Sequence, residues 1–530
     1  MTDSPILESA EVVKLELLLE EATRSSADGV RRFVEPASGT LSRATSRTHH
    51  LVFGRRGSGK SSLLRKAAQD LTLDRRPMAF VDLESFKGHE YPDVLLSVLV
   101  ETIGRFAEWL ETAATAPANK TNFWMRVFGR KPSRPPFDKR SADQLAKDLR
   151  EETRKLRDVL FSEDDLKMEV SVATKQSESD GTSVKLGVVA QGVGVGVTDQ
   201  SSASAERSRQ QKALFTQTKV QYLHRHILDY QTLFRRMSQL SGGDAFLFLD
   251  DLYHIPRKYQ AQVLDYLHRV AKGNNLWLKI GTIRHRTQWY IHGDPPLGAK
   301  IGDDISEIDL DLTLEKYRIT SSFLEKVLQE FLHEAGVTKT AFLVRDAFDR
   351  LVLASGGVAR DFLGLLRRSI LIAKERGETA RGKKVGVEDI NAAAGEYDSA
   401  KREELTRDTL DERQALEDEF GQIAHFVNHY SKANVFLMDK SLPDAELAPI
   451  EELVDLRLVH RVRSRITVAD RPGKTFEAFM LDVSQYTAAR KKRELEIIAF
   501  WGENAADSIR RPGLIYKEWD GVNVLMKGTN

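Results

Sequence analysis

Eight consecutive residues, Gly54-Arg55-Arg56-Gly57-Ser58-Gly59-Lys60-Ser61, carry the clearest chemistry in the chain. They fit G-x-x-x-x-G-K-[ST], in which glycines let backbone N–H groups turn inward around phosphate oxygens. Lys60 is spaced to reach the β and γ phosphates of a nucleoside triphosphate, and Ser61 to place its hydroxyl on Mg²⁺. Gly54 to Ser62, Arg55, Arg56 and Ser58 included, are therefore the expected cradle, with ATP and Mg²⁺ as the implied ligands. The flanks suit the loop. Residues 51–53 read as a short buried strand and 62–71 as a helix, so strand, loop and helix come in the order the chemistry needs.

A second carboxylate site must hold the metal and the attacking water, and the stretch QLSGGDAFLFLDDLYHI (239–255) raises the question of what it is. In ABC-type ATPases an LSGGQ segment opens a helix well before the metal-binding strand. Here LSGGD runs directly into AFLFLDD, so its glycines read as a turn feeding a buried strand, 245–249. That strand ends in Asp250 and Asp251, a Walker B pattern. Asp250 is the expected metal ligand, and Asp251 the expected base or water-orienting group. A further buried strand, 276–280, ends in Gly281-Thr282-Ile283-Arg284. Thr282 and Arg284 are its candidates for sensing the γ-phosphate, against the alternative of a surface turn. Residues 305–314 alternate and predict one more strand.

Helices are predicted at 321–335, 340–354, 358–375 and 387–396. ASGGVARDFLGLLRRSILIA lies among them. This segment resembles the sensor 2 region of AAA+ ATPases of the origin-recognition initiator type, with Arg360 on the sensor arginine and Gly357 where an Asp is usual. KVGVEDINAAAGEY resembles the closing helix of their lid. GTIR and the Asp at 251 look more like STAND and KAP-type ATPases, which implies slow, switch-like hydrolysis. The resemblance, over about 51–105 and 214–397, implies ATP hydrolysis between core and lid, ring or arc assembly, and an arginine supplied by a neighbouring subunit. Arg284, Arg286 and Arg318 are the candidates for that arginine.

About 190 residues separate Lys60 from Asp250, so an insertion is expected over about 112–212. It opens with a Pro- and Lys/Arg-rich loop bearing Phe123, Trp124 and Phe128, which could stack on a nucleic acid or simply pin the loop. Residues 142–160 predict a polar helix. Alternation on both sides of SESDG predicts a long β-hairpin over 167–198, with glycines on one face of GVGVGV and valines on the other. The hairpin could pack on its own domain, reach a neighbouring subunit, or insert in a membrane. SSASAERSRQQKA then reads as a flexible return.

Beyond residue 408 the order helix, strand, helix, hairpin resembles the winged helix of origin-recognition initiators. Glu451, Glu452 and Asp455 on its second helix would repel DNA phosphates. The hairpin offers Arg461, Arg463 and Arg465 at i, i+2, i+4, with Arg471 and Lys474 near its tip, so nucleic acid could be bound through the wing. A solvated face or a protein-docking face explains the same stripe. ARKKRE, near Arg490, reads as a surface helix face. His224 and His226 are two apart on a helix and cannot share a metal. Asp82 and Glu84 read as ordinary strand-end acids.

The expected architecture is α/β: a lead-in over 1–50, a P-loop core over 51–318, a helical lid over 319–408 and a winged-helix-like α+β domain over 409–530. Net charge is +1 over 530 residues, so bulk charge points to no particular partner. With no cysteine there is no thiolate chemistry, which fits a reducing cytoplasm. No apolar run is long enough to span a bilayer. The combined expectation is an oligomeric regulatory ATPase controlling a separate effector, for instance in a bacterial defence or conflict system. A DNA-loading ATPase is the alternative, and a membrane-associated one acting through the Gly/Val hairpin is third.

Overall fold

Two segments nearly two hundred residues apart meet because of the strand order in one parallel sheet. A computed structural model describes residues 6–23, 30, 32–114, 137–179, 198–377, 383–408, 413–487, 495–502 and 505–518. The sheet runs β2-β3-β4-β1-β7. Its strands are β1 (His50–Phe53), β2 (Met78–Asp82), β3 (Ala245–Asp250), β4 (Leu276–Thr282) and β7 (Ser306–Asp309). The short pair β5 (Tyr290–Ile291) and β6 (Leu297–Gly298) forms a hairpin between β4 and β7. Every pairing in the large sheet is parallel. Phe53 lies opposite both Thr282 and Asp309, and Asp82 opposite Asp250, so the carboxyl ends line up along one edge. Ligands of open α/β sheets bind outside that edge.

Strand β3 shows why its run of apolar residues does not alternate with polar ones: both faces are covered. Phe246 and Phe248 pack with Leu63, Leu64, Ala67 and Leu71 of α3 (Lys60–Leu73). Ala245, Leu247 and Leu249 face the opposite layer, built from α4 (Asp93–Trp109), α5 (Lys139–Ser179), α6 (Thr198–Leu240) and α7 (Arg257–Ala271). Each fully buried Phe or Leu is worth roughly 1.5–3 kcal/mol, which fixes β3 between the layers. The LSGGD glycines form the turn from α6 into β3, with Gly242 and Gly243 at φ 73° and 134° and the Ser241 hydroxyl donating to backbone carbonyls.

The insertion departs from expectation. Residues 167–179 continue α5 instead of forming the first arm of a hairpin, and SSASAERSRQQKA lies inside α6. The reason is cooperative: a helix already under way adds a hydrogen bond per residue without a new nucleus, whereas a strand needs a partner. The second arm of the expected hairpin falls in 180–197, and Phe123, Trp124, Phe128 and Arg490 also lie outside the described residues.

The helical lid comprises α8 (Tyr317–Ala335), α9 (Lys339–Phe342), α10 (Ala347–Ala354), α11 (Ala359–Arg376) and α12 (Val387–Asp408). Helix α1 (Ala10–Thr23) packs on α8 and α11, with Val12, Leu15 and Leu19 in the same core as Leu324, Leu328 and Leu366. The C-terminal domain follows as α13 (Arg413–His425), β8 (Val435–Asp439), α14 (Asp444–Asp455), β9 (Val459–Ile466) and β10 (Phe476–Leu481). Its antiparallel sheet, β8-β10-β9, puts Val435, Leu437 and Ala478 into the lid's core and Phe436, Met438 and Phe479 against α13 and α14. Lid and C-terminal domain therefore share one apolar core. The fold is α/β: a parallel-sheet P-loop core with a helical lid and a C-terminal α+β domain. No described helix is long and apolar enough to cross a membrane.

Candidate functional site

The loop from β1 to α3 turns through Gly57 and Gly59, at φ 85° and 97°, where an L side chain would be strained. Gly54 is needed for space: a Cβ there would lie 2.3 Å from the Ser58 hydroxyl folded beneath it. Lys60 opens α3 and is almost fully buried. Its Nζ donates to the carbonyls of Gly54 at 2.9 Å and Arg55 at 3.2 Å. Burial lowers its pKa, against the opposing charges of Asp251 and Asp250. The Ser58 hydroxyl is buried with no hydrogen-bond partner.

At the adjacent strand end Ser61 hydrogen-bonds the buried Asp250 carboxylate, whose Oδ1 has no partner. Burial, with Asp251 adding, pushes the Asp250 pKa up to about 7, while Ser61 and Lys60 oppose the rise. Gly281 makes room for this carboxylate, because a Cβ there would lie 2.8 Å from Asp250 Oδ1. A hydroxyl in contact with a carboxylate, with one buried carboxylate oxygen unsatisfied, is a donor set that fits Mg²⁺ completed by phosphate and water. No cluster of three acidic or histidine ligands exists among the described residues.

Asp251 adopts a left-handed conformation, φ 57° and ψ 51°, turning the chain out of β3. Left-handed non-glycine residues cluster at functional sites. Two residues on, Tyr253 covers the cradle, with its ring centre 5.8 Å from Lys60 Nζ and 5.9 Å from the Arg56 guanidinium. Burial first, and then Asp251, raises the phenol pKa. Sequence reasoning missed Tyr253; its one signal is an aromatic two places after the aspartate pair.

Arg55 is not free to face a phosphate. Its backbone N–H donates to Asp311 Oδ1 at 2.8 Å, and its guanidinium reaches Asp311, Leu312 O and Gly356 O at 3.3, 3.2 and 3.2 Å. It staples the loop to the segment after β7 and to the lid. The lid also touches the loop directly: Arg360 N–H donates to Gly57 O at 3.3 Å, and a Cβ on Gly57 would lie 2.9 Å from Arg360 Cβ. Arg360 acts electrostatically on Lys60, so both charges belong to one site.

Two sensor candidates border the loop, Thr282 O accepting from Gly54 N–H at 3.3 Å, but their side chains are engaged by other groups. Thr282 is fully buried, with Oγ1 2.5 Å from Thr287 Oγ1. Thr287 gives its single hydrogen to Ile283 O, so Thr282 donates to Thr287 and has no hydrogen for a phosphate. Arg284 lies 4.0 Å over the Phe53 ring and pairs with Glu307 at 3.1 Å and Asp309 at 3.5 Å, which directs it to the β7 edge. Of the other arginines considered for supply to a neighbour, Arg286 faces buried Asp455, and Arg318 is exposed.

The cations of the β9–β10 hairpin are largely neutralised within the chain. Arg461 pairs with Glu451 and Glu477, Arg471 with Glu518, and Lys474 with Asp439 and Glu518. Arg463 and Arg465 form no ion pair among the described residues. Helix α14 is docked on the core: Glu451 lies 3.4 Å from His285, and Asp455 is buried near Asp311, Arg286 and Arg55. The hairpin and α14 thus face the protein more than the sequence suggested, because α14, β10, the end of β8 and Glu518 supply the partner carboxylates.

No protein-family model matches this chain, and no curated protein does. Among solved structures it is similar to the Aeropyrum pernix ORC1 protein in complex with DNA. The alignment covers 90% of this chain and 92% of that one at 15% identity and a TM-score of 0.32.

Proposed function

We propose that this protein is an AAA+/STAND-type ATPase that binds ATP between the β1–α3 loop and the lid and uses nucleotide state as a switch on a partner. The carrying observation is the contact of Ser61 with Asp250 beside buried Lys60 and Asp251. In this reading Lys60 exchanges its bonds to Gly54 and Arg55 carbonyls for phosphate oxygens. Loop N–H groups hold the rest of the triphosphate chain, and Tyr253 shields the site from water. Ser61 and Asp250 would hold Mg²⁺, which supplies charge neutralisation on the β and γ phosphates when bound. Asp251 orients the attacking water and accepts its proton, and Arg360 neutralises charge on the γ-phosphate from the lid.

A switch suits the way loop, lid and C-terminal domain are joined. Arg55 spans loop and lid, Arg457 of the C-terminal domain pairs with Asp361 of α11, and the His460 ring occupies the space a Cβ on Gly356 would need. A change at the phosphates alters contacts reaching the C-terminal domain. Oligomer assembly, a separate effector and a role in defence extend this reading. DNA loading through the wing is the less favoured alternative, since Arg461, Arg471 and Lys474 are already paired. A membrane role would need the Gly/Val hairpin, whose first arm is helical.

The test is uptake and hydrolysis of radiolabelled ATP by the purified chain and by Lys60→Ala and Asp251→Asn variants. Binding lost in the first, and retained without turnover in the second, supports the reading; a wild-type chain that takes up no ATP overturns it. Particle images with and without a non-hydrolysable analogue test assembly, and the absence of any larger particle counts against the oligomer.

A further inference from the structure

Where the chain leaves the ATPase core, the segment Leu314–Ile319 meets β9 and residues Phe500–Gly502 around a cleft of about 370 Å³. That volume is within the range of small-ligand pockets. The cleft shares no residue with the phosphate loop.

Its floor is aromatic and fixed. Tyr317 and Trp501 stack with ring centres 5.5 Å apart and planes 25° from parallel, and Phe500 meets Trp501 edge-on at 5.0 Å. The Tyr317 hydroxyl donates to Asp349 at 2.9 Å, which holds the ring in place. Ile319, 53% exposed, extends the apolar surface to the rim. Three cations surround this floor: Lys316, Arg318 and Arg463. Lys316 and Arg318 form no ion pair among the described residues, in contrast to Arg461, Arg471 and Lys474 nearby in sequence, and Arg463 attracts the Glu315 carboxylate without a close ion pair. The one carboxylate in the lining, Glu315, is engaged by Ser464 through its N–H at 2.9 Å and its hydroxyl at 2.6 Å.

Three cations around a single carboxylate, beside packed aromatic rings, ask for an anion that carries a ring. A bare phosphate would leave the exposed Ile319 and the open part of Trp501 uncovered. We propose that this cleft binds one nucleotide unit, its base on the Trp501 side of the aromatic stack and its phosphate on Arg318, Arg463 and Lys316. The unit is either a free nucleotide or one residue of a single strand, since both present the same base and phosphate.

The full-length chain carrying Lys60→Ala, which removes the phosphate-loop lysine, is titrated at low salt in two arms. One uses AMP with a fluorescent ribose label and the other a short fluorescein-labelled oligothymidylate, each followed by anisotropy. At least one probe binds. Arg318→Glu, at an exposed position, and Trp501→Ala each weaken it about tenfold or more, as expected for a charged contact or a stacked base. Binding of the oligonucleotide alone identifies a strand residue as the ligand, whereas binding of AMP identifies a free nucleotide. If neither probe binds, or if Arg318→Glu stays within twofold of its parent, the proposal is overturned. ATP uptake by the wild-type chain is scored separately, so failure of the phosphate-loop reading is a different result.

Discussion

Arg457 Nη1 donates to Asp361 Oδ1 at 2.7 Å, and both side chains are buried. The bond joins the second residue after α14 to the first turn of α11, the helix whose Arg360 N–H rests on the phosphate loop. Removing one member of a buried pair leaves an uncompensated charge and typically costs about 3–5 kcal/mol. Arg457→Ala is expected to lose stability on that scale in urea or guanidinium titrations. Asp361→Asn combined with Arg457→Ala should lose less than the sum of the single variants. Strict additivity in that cycle would show that the two residues are not coupled.

Lys60 gives the second prediction. In the ligand-free protein it is a buried cation satisfied by two carbonyls, and burial already lowers its pKa. Lys60→Met should therefore leave the ligand-free melting temperature unchanged or raise it. The stabilisation by ATP, about 2.7 kcal/mol at a ligand concentration one hundred times Kd, should vanish. Equal ATP-induced shifts in the two proteins would remove Lys60 from the site.

What could be read in the sequence divides along physical lines. The loop glycines, Lys60, Ser61 and the aspartate pair are local patterns whose chemistry requires their order, and the strands at 245–249 and 276–280 are apolar runs that only a doubly covered sheet explains. Arg55, Thr282 and Arg284 lie in those motifs, but the partners of their side chains could not be read from them. Asp311, Thr287 and Glu307 are remote or unremarkable in the chain, and no pattern announces which carboxylate an arginine will find. Residues 167–179 failed for a different reason. Their alternation is a true strand signal, and the helix already running from Lys139 overrode it.

Asp250 should make the site pH-sensitive with a definite sign. Its pKa is about 7 in the folded chain, against an ordinary value near 3.9. The folded state therefore holds a proton that the unfolded state releases, so this group lowers stability as pH rises from about 4 to 7, and the loss is complete above 7. His49 and His50, lowered by burial to about 4 and about 3, act oppositely and favour the folded state as pH rises from those values to 6.5, with no further gain above it. The informative quantity is the difference between wild type and Asp250→Asn. Wild type should fall relative to the variant across that window, by ~1.4 kcal/mol for each unit of displacement. Mg²⁺ affinity should tighten as pH rises towards 7 and level off beyond it. A flat difference curve from pH 4 to 8 would contradict the raised pKa.

Under the proposed function, Arg360 should separate binding from turnover. Its backbone fixes the lid on Gly57, and its side chain acts on the Lys60 charge without a described contact to the loop's carbonyls. Arg360→Ala keeps the backbone bond, so ATP affinity should change by only a few-fold. The variant lacks the charge proposed to meet the γ-phosphate in the transition state, so kcat should fall by about 10³ or more. Arg284→Ala is the matched control: its guanidinium is held by Glu307 and Asp309 at the β7 edge, so turnover within one subunit should be unaffected. If Arg284→Ala instead abolishes turnover, and mixing it with Asp251→Asn subunits restores activity, then Arg284 acts on a neighbouring site. In that case the Glu307 pair must open when subunits assemble. Single-turnover rates for the two variants, at ATP concentrations that saturate each, decide between these outcomes.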